Sequence, residues 1–338
     1  MLAAALAVPD SAEAARRHVR PHRAARQADP APSNAPIPGD PAALGGYNLM
    51  IADRGNNRVL IVSPEKKILW EYQFEGIPLG SAADDTFFTL DHKAVVASME
   101  YWQLIQIIDI ATKKVTWSYG HPGKKGSADG FMNFPDDAYQ LPNGNIMVAD
   151  IRNCRVIEIT SDHKIARQAG KTGACYGKWP QLGGPNGDTP LPNGHVLVSE
   201  IINKSVTELD EKWQKVMSVR VPLQYPSDPQ PTKSGNILIA DYVRPGKIIE
   251  ITRDGHVLWQ YDEKTADGFL HHPSLAEELP NGNIMANDDY NHRIVIIDRA
   301  TKKIIWQYGH TRQPGKAEGY LNIPDGMDII KASDFKVN

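Results

Sequence analysis

The chain has 338 residues, 41% of them hydrophobic, with 27 Gly, 25 Pro, 2 Cys and a formal net charge of −3. That length admits about two ordinary domains or one large β architecture. The balance of 37 basic and 40 acidic residues argues against an electrostatic nucleic-acid binder. Two cysteines exclude a disulfide-dense scaffold and a four-cysteine zinc site, and no apolar run approaches the roughly 20 residues of a membrane-spanning helix.

Residues 1–8 (MLAAALAV) are apolar and are followed by small-residue triplets. They resemble the end of a secretory signal, which points to an exported, extracytoplasmic protein. Residues 9–45 carry seven prolines and almost no large apolar side chain. Such a segment cannot bury enough surface to offset its ordering entropy, so 1–45 reads as a signal remnant followed by a disordered linker. Arg16, Arg17, Arg20, Arg23 and Arg26 within it read as a solvated basic tail.

From residue 46 a repeat organises the chain. LPNGNIMVAD at 141–150 recurs as LPNGHVLVSE at 191–200 and LPNGNIMAND at 279–288, with KSGNILIAD at 233–241 as the same element. GGYNLMIAD at 45–53 and LDHKAVVAS at 90–98 are weaker copies. The shared polar positions are Asp53, Ser98, Asp150, Glu200, Asp241 and Asp288, about 47 residues apart on average, within the ~40–50 range of β-propeller blades. Asn-Gly in LPNG is a hairpin signal. A β-branched run follows each such turn, then a polar loop, then a second apolar run such as Val59–Val62 or Ile294–Ile297. Runs apolar at every position fit strands buried on both faces between neighbouring blades. A third run ends in Trp-x-Tyr at Trp70/Tyr72, Trp117/Tyr119, Trp259/Tyr261 and Trp306/Tyr308, which read as inter-blade packing. NIPDGMDII at 322–330 looks like an innermost strand with no blade after it, and the N-terminal repeat lacks one. The expected fold is therefore an all-β, six-bladed β-propeller of four-stranded antiparallel blades over 46–338. The C-terminal strand closes the ring by joining the N-terminal blade and removes the sheet edges.

Strand alternation puts the start of each innermost strand, the loop between strands two and three, and the crossovers on one face, here the top. Inner strands are expected to begin near Asp84-Asp85, Asp136-Asp137, Asp188, Ser227-Asp228, His271-His272 and Asp325. A ring of carboxylates suits a hard cation such as Ca²⁺, so Asp137, Asp188, Asp228 and Asp325 are candidate metal ligands. The alternative is that these residues cap local turns. His271 and His272 occupy an inner-strand start; alternation would turn one imidazole into the channel, as base, nucleophile or metal ligand, and the other toward a neighbouring blade. His92 and His195 fall near the opposite turns, far from them. The Asn-x-Arg loops at Asn56–Arg58, Asn153–Arg155 and Asn291–Arg293 read as structural, each Arg bonding a neighbouring Asp. Tyr101-Trp102, Tyr176, Trp179, Tyr242 and Tyr290 share the top face and could rim a site for a small molecule, glycan or protein. Cys154 and Cys175 also map there and are a disulfide candidate, which would favour an oxidising compartment.

GFMNFPDDAYQLPNGNIMVADIRNCRVIEI (130–159) resembles the NHL repeat, and the blade pattern over roughly 46–331 is similar to NHL-repeat and PQQ-like six-bladed propellers. The resemblance implies the fold and leaves function open, because propellers serve as scaffolds and as enzymes. LHHPSLAEELPNGNIMANDDYNHRIVIIDRATKKIIWQYGH (270–310) is also similar to a repeat of bacterial arylsulfotransferases. That family takes up the sulfuryl group on a channel histidine, which would correspond to His271. Pro273 stands where the family has Asn, and Asn287-Asp288-Asp289 where it has a segment with Arg and His. Two expectations follow. One is an extracytoplasmic binding module with a cation at an acidic channel mouth. The other is a hydrolase, lyase or sulfuryl-transfer enzyme using His271 or His272 with channel aspartates.

Overall fold

A computed structural model of the chain describes residues 36–265 and 267–336. Six four-stranded antiparallel sheets stand around one axis. The innermost strands are Thr86–Phe88, Pro135–Gln140, Pro185–Pro190, Gln230–Pro231, Ala276–Glu278 and Pro324–Lys331. The last pairs with Tyr47–Asp53, Leu49 opposite Ile329, so the C-terminal strand completes blade 1 and closes the ring as the repeat requires. In chain order blades 2 to 6 begin with the other five inner strands.

The all-apolar second strands are explained by where they sit. Six apolar clusters fill the six blade interfaces, and successive residues of one strand serve opposite neighbours. Leu49 and Ile51 pack toward blade 6 with Ile294, Ile296 and Trp306, while Met50 and Ala52 pack toward blade 2 with Val95 and Met99. Burying each Val, Leu or Ile contributes roughly 1.5–3 kcal/mol. The Trp-x-Tyr positions add a directional link. Trp70, Trp117, Trp259 and Trp306 each donate their indole N–H to a carbonyl in the next blade's outer turn, those of Ile110, Ser161, Arg299 and Pro64. Blade 3 has Arg167 at that position. Its guanidinium makes the same link, to Glu211 O at 2.8 Å, and lies 4.2 Å over the Trp213 ring.

The signal-remnant reading of residues 1–8, and the basic-tail reading of Arg16 to Arg26, lie outside the described residues. The last part of the expected linker does not: residues 38–44 are held against the blades at a few points, although most of 36–45 is exposed. Asp40 N donates to Ile305 O, Gln307 N donates to Pro38 O, and Ala43 and Leu44 are buried against the blade 6–blade 1 interface. Composition concealed this because only two apolar side chains, adjacent in sequence, do the anchoring. Among the described residues no helix is long and apolar enough to cross a membrane.

The channel is narrow because two inner strands carry glycine where others carry aspartate. A Cβ on Gly326 would lie 2.5 Å from Thr86 N and 2.6 Å from Asp85 Cα; one on Gly187 would lie 2.7 Å from Asp228 Cα. Gly326→Ala therefore meets backbone that cannot swing aside. Its expected cost is about 1–3 kcal/mol, read as a fall in denaturation midpoint. A neutral midpoint would show that the strands can separate.

Candidate functional site

Each repeat's acidic residue builds the approach to the channel. Asp53, Asp150 and Asp288 accept the backbone N–H of Asn322, Asn133 and His271, at 2.7, 2.7 and 2.6 Å. Their other oxygens take Asn56 and Arg58, Asn153 and Arg155, and Asn291 and Arg293. The Asn-x-Arg loops are thus internal clamps, with Arg58, Arg155 and Arg293 buried. Two residues after each anchored amide comes Pro324, Pro135 or Pro273, and then a side chain at the mouth: Asp325, Asp136 or Ser274. A bulge after Pro135 breaks the alternation, which lets Asp136 and Asp137 both reach the axis.

This register moves the histidines. His271-His272 corresponds to Asn133-Phe134 and Asn322-Ile323, not to the Pro-Asp step. His272, like Phe134 and Ile323, has a left-handed backbone (φ 56°), so the pair is not in a strand and does not alternate across one. Neither imidazole lines the channel mouth; Ser274 takes that place. His272 packs on the rim beside Tyr242, Tyr290 and His271, ring centres about 5 Å apart. Burial, then His271 and Arg244, push its pKa down to about 4, so the ring is neutral.

The carboxylates form two tiers. In the upper tier the Arg54 guanidinium pairs with both Asp84 and Asp325. Asp289 lies close by and accepts from Ser274 Oγ at 3.1 Å. Burial works against the Arg54 charge, but Asp325 and Asp84 outweigh it and hold its pKa well above the usual value. In the lower tier Asp85, Asp137 and Asp228 each bring one carboxylate oxygen within 4.8 Å of the others. Asp188 adjoins them and raises the pKa of Asp137. Asp228 receives Asn186 Nδ2 at 3.2 Å. Neither oxygen of Asp137 or of Asp188 makes a well-formed hydrogen bond, nor does Asp85 Oδ1. Nearby backbone amides offset only part of that cost. Burial and mutual repulsion push Asp137, Asp188 and Asp228 well above the usual carboxylate range, and Asp85, buried and beside Asp84, up to about 7.

Of the four expected metal ligands, the structure brings Asp137 and Asp228 into one cluster, while Asp188 lies outside that triplet and acts on it through its charge. Asp325 is set apart because Arg54 takes its charge, and Asp85 stands in its place. Arg54 had no sequence signal as a site residue. It directly follows the repeat's acidic residue, a position held by Ile151, Ile201, Tyr242 and Asp289 in other blades. Variation there beside an acid shared by five of the six blades was the available clue. Of the expected aromatic rim, Tyr101 and Tyr242 line the mouth, joined by Tyr225. Trp102 lies in a separate groove between blades 1 and 2, and Trp179 packs against the blade 3–blade 4 core. Cys154 closes the turn after Asp150 and is joined by a disulfide to Cys175, 21 residues on, in the crossover to blade 4. A loop of that length stabilises by about 3 kcal/mol in the chain-entropy account.

The ring of six closed blades defines the class: the chain is a six-bladed β-propeller. No protein-family model and no curated protein sequence matches it. Solved structures do. A protein of unknown function from Bacteroides caccae superposes with TM-score 0.61 at 18% identity, covering 85% of this chain and 99% of that one. A structure of the nidogen/laminin complex gives 0.59 at 12% identity, covering 84% and 98%. A catalytically inactive variant of virginiamycin B lyase from Staphylococcus aureus, with quinupristin, gives 0.53 at 15% identity, covering 74% and 77%. At these identities the likeness is one of fold.

Proposed function

We propose that the protein is an extracytoplasmic binding module whose axial channel holds a divalent cation, with a small molecule, glycan or protein engaged at the top face. The observation that carries this is the lower tier. Three buried aspartates converge within 4.8 Å, and none of the four carboxylate oxygens of Asp137 and Asp188 has a well-formed hydrogen bond. Buried polar groups are otherwise almost always satisfied, and converging carboxylates need protons or a cation. An all-oxygen donor set suits Ca²⁺ over Zn²⁺ or copper. Asp85, Asp137, Asp188 and Asp228 would hold the ion, and its charge would draw blades 2 to 5 together. The Cys154–Cys175 disulfide supports an oxidising compartment.

Elemental analysis of purified protein tests the reading. About one divalent ion per chain is expected, together with a fall in melting temperature on chelation that added Ca²⁺ reverses. Asp137→Asn/Asp228→Asn should abolish both. Metal-free protein that shows no thermal response to millimolar Ca²⁺ would overturn it.

One observation favours an enzymatic reading beside this one: a neutral His272 packs on the rim against Tyr242, which itself lines the mouth. A neutral imidazole is open to a proton, as a lyase or hydrolase requires, but one held at about 4 is a weak base at neutral pH. Sulfuryl transfer fits less well, because an acidic mouth repels a sulfate ester. Turnover of a found substrate that survives His272→Ala would end the histidine mechanism.

A further inference from the structure

The cavity above the lower tier has a composition of its own. Six carboxyl groups line it, those of Asp84, Asp85, Glu100, Asp136, Asp228 and Asp325, and Arg54 is the one cationic side chain among the described lining residues. Arg54 is committed to Asp84 and Asp325. Asp85, 3% exposed, still presents an oxygen with no hydrogen-bond partner. The remaining wall is aromatic, from Tyr101, Tyr225 and Tyr242. Acid and aromatic faces together favour a cation over an anion or a neutral group. Arg54 already shows how an organic cation sits there, between two carboxylates with its guanidinium carbon 5.9 Å from the centre of the Tyr101 ring.

Size narrows the choice. The cavity measures about 50 Å³, and about 10–15 Å³ on the same measure admits one water. A head group of a few heavy atoms fits, and the rest of the ligand must extend out of the mouth. Arg54 already fills the place between Asp84 and Asp325, which leaves Asp85, Asp136 and Asp228 for a compact head group.

The geometry points to the mouth as a receptor for a primary alkylammonium group, either a free polyamine or the lysine side chain of a partner. The inference extends the reading of the channel as a cation site to the tier above it. Its head group would sit against Asp136 at the boundary of the tiers, sharing Asp85 and Asp228 with the lower one, with Tyr225 and Tyr242 on the alkyl chain.

Calorimetric titration with 1,5-diaminopentane tests it, with 1,5-pentanediol and glutarate as neutral and anionic controls. N-acetyl-lysine methylamide, with one amine on a peptide unit, separates a lysine source from a polyamine. Saturable binding of an amine, absent for both controls, is expected. Asp136→Asn should weaken it about tenfold. Arg54→Gln should strengthen it about fivefold by releasing Asp84 and Asp325. Should Arg54→Gln not fold, Asp136→Asn decides alone. Diamine binding no tighter than diol binding, or indifferent to Asp136→Asn, overturns the inference. Titrations on chelated and Ca²⁺-loaded protein keep the two readings apart. Amine binding without any metal response supports this inference and removes the metal; metal binding without amine binding does the reverse.

Discussion

Arg293→Met should lower the unfolding free energy by about 3–5 kcal/mol, because it strands a buried charge. Arg293 is 1% exposed and Asp288 fully buried. The guanidinium donates to Asp288 at 2.7 Å, to Gln307 at 2.9 Å, to Thr311 at 3.1 Å and to Phe269 O at 3.1 Å. One planar group thus joins three strands of blade 6 to its crossover. Methionine fills the volume and answers none of these acceptors. Arg293→Lys should recover little, since a single ammonium cannot span four acceptors. Asp288→Asn should cost less, because the amide oxygen still accepts from His271 N. For a chain of this size the Met variant corresponds to roughly 6–15 °C in melting temperature. Chemical denaturation measures it, and a loss below about 1 kcal/mol would mean that water or a rearranged Asn291 replaces the guanidinium.

A second large effect is expected in the metal-free protein, whose stability should fall as pH rises from about 4 to above 7. The sign follows from the channel carboxyls. An unfolded Asp titrates near 3.8, whereas burial and neighbouring charge raise Asp85 to about 7 and hold Asp137, Asp188 and Asp228 high as well. Between those values the folded state binds more protons than the unfolded state. Raising pH therefore favours unfolding. The stabilisation is complete below the unfolded value and is lost as pH passes through the folded ones. At about 1.4 kcal/mol per pH unit for one group, the change amounts to several kcal/mol. Saturating Ca²⁺ should flatten the profile by replacing the protons. Asp137→Asn/Asp188→Asn should make the metal-free protein more stable at pH 8, with a shallower slope and no Ca²⁺ response. A residual slope is expected from Asp85 and Asp228, which remain, and from Asp328, buried on the innermost strand of blade 1 and raised to about 6. An unchanged slope in the double variant would place the proton uptake elsewhere.

The blade pattern was legible because it is written in local, repeated chemistry. LPNG turns, two-sided apolar runs and Trp-x-Tyr endings recur, and each has one structural meaning. Closure was legible because NIPDGMDII lacks a following blade. The clamp role of the Asn-x-Arg loops could be read from three copies beside three acids. His271-His272 misleads because its place in the chain, just before Pro273, sets it beside the starts of the innermost strands. The conserved geometry runs instead through the backbone amide of His271 to Asp288, which no side-chain pattern displays.

The sequence by itself determined the architecture, the closing strand and the presence of many aspartates at one face, since each follows from turn chemistry and hydrophobic period within a repeat. Only the tertiary structure decided how those aspartates divide. Arg54 and Asp325 both belong to blade 1, yet they come from residues 271 positions apart in sequence, and they neutralise each other only because the ring closes. Asp85, Asp137 and Asp228 come from three blades, and Gly187 and Gly326 let the strands approach closely enough for their charges to interact. Pairing of charges depends on distances across the axis, and local sequence carries no record of those.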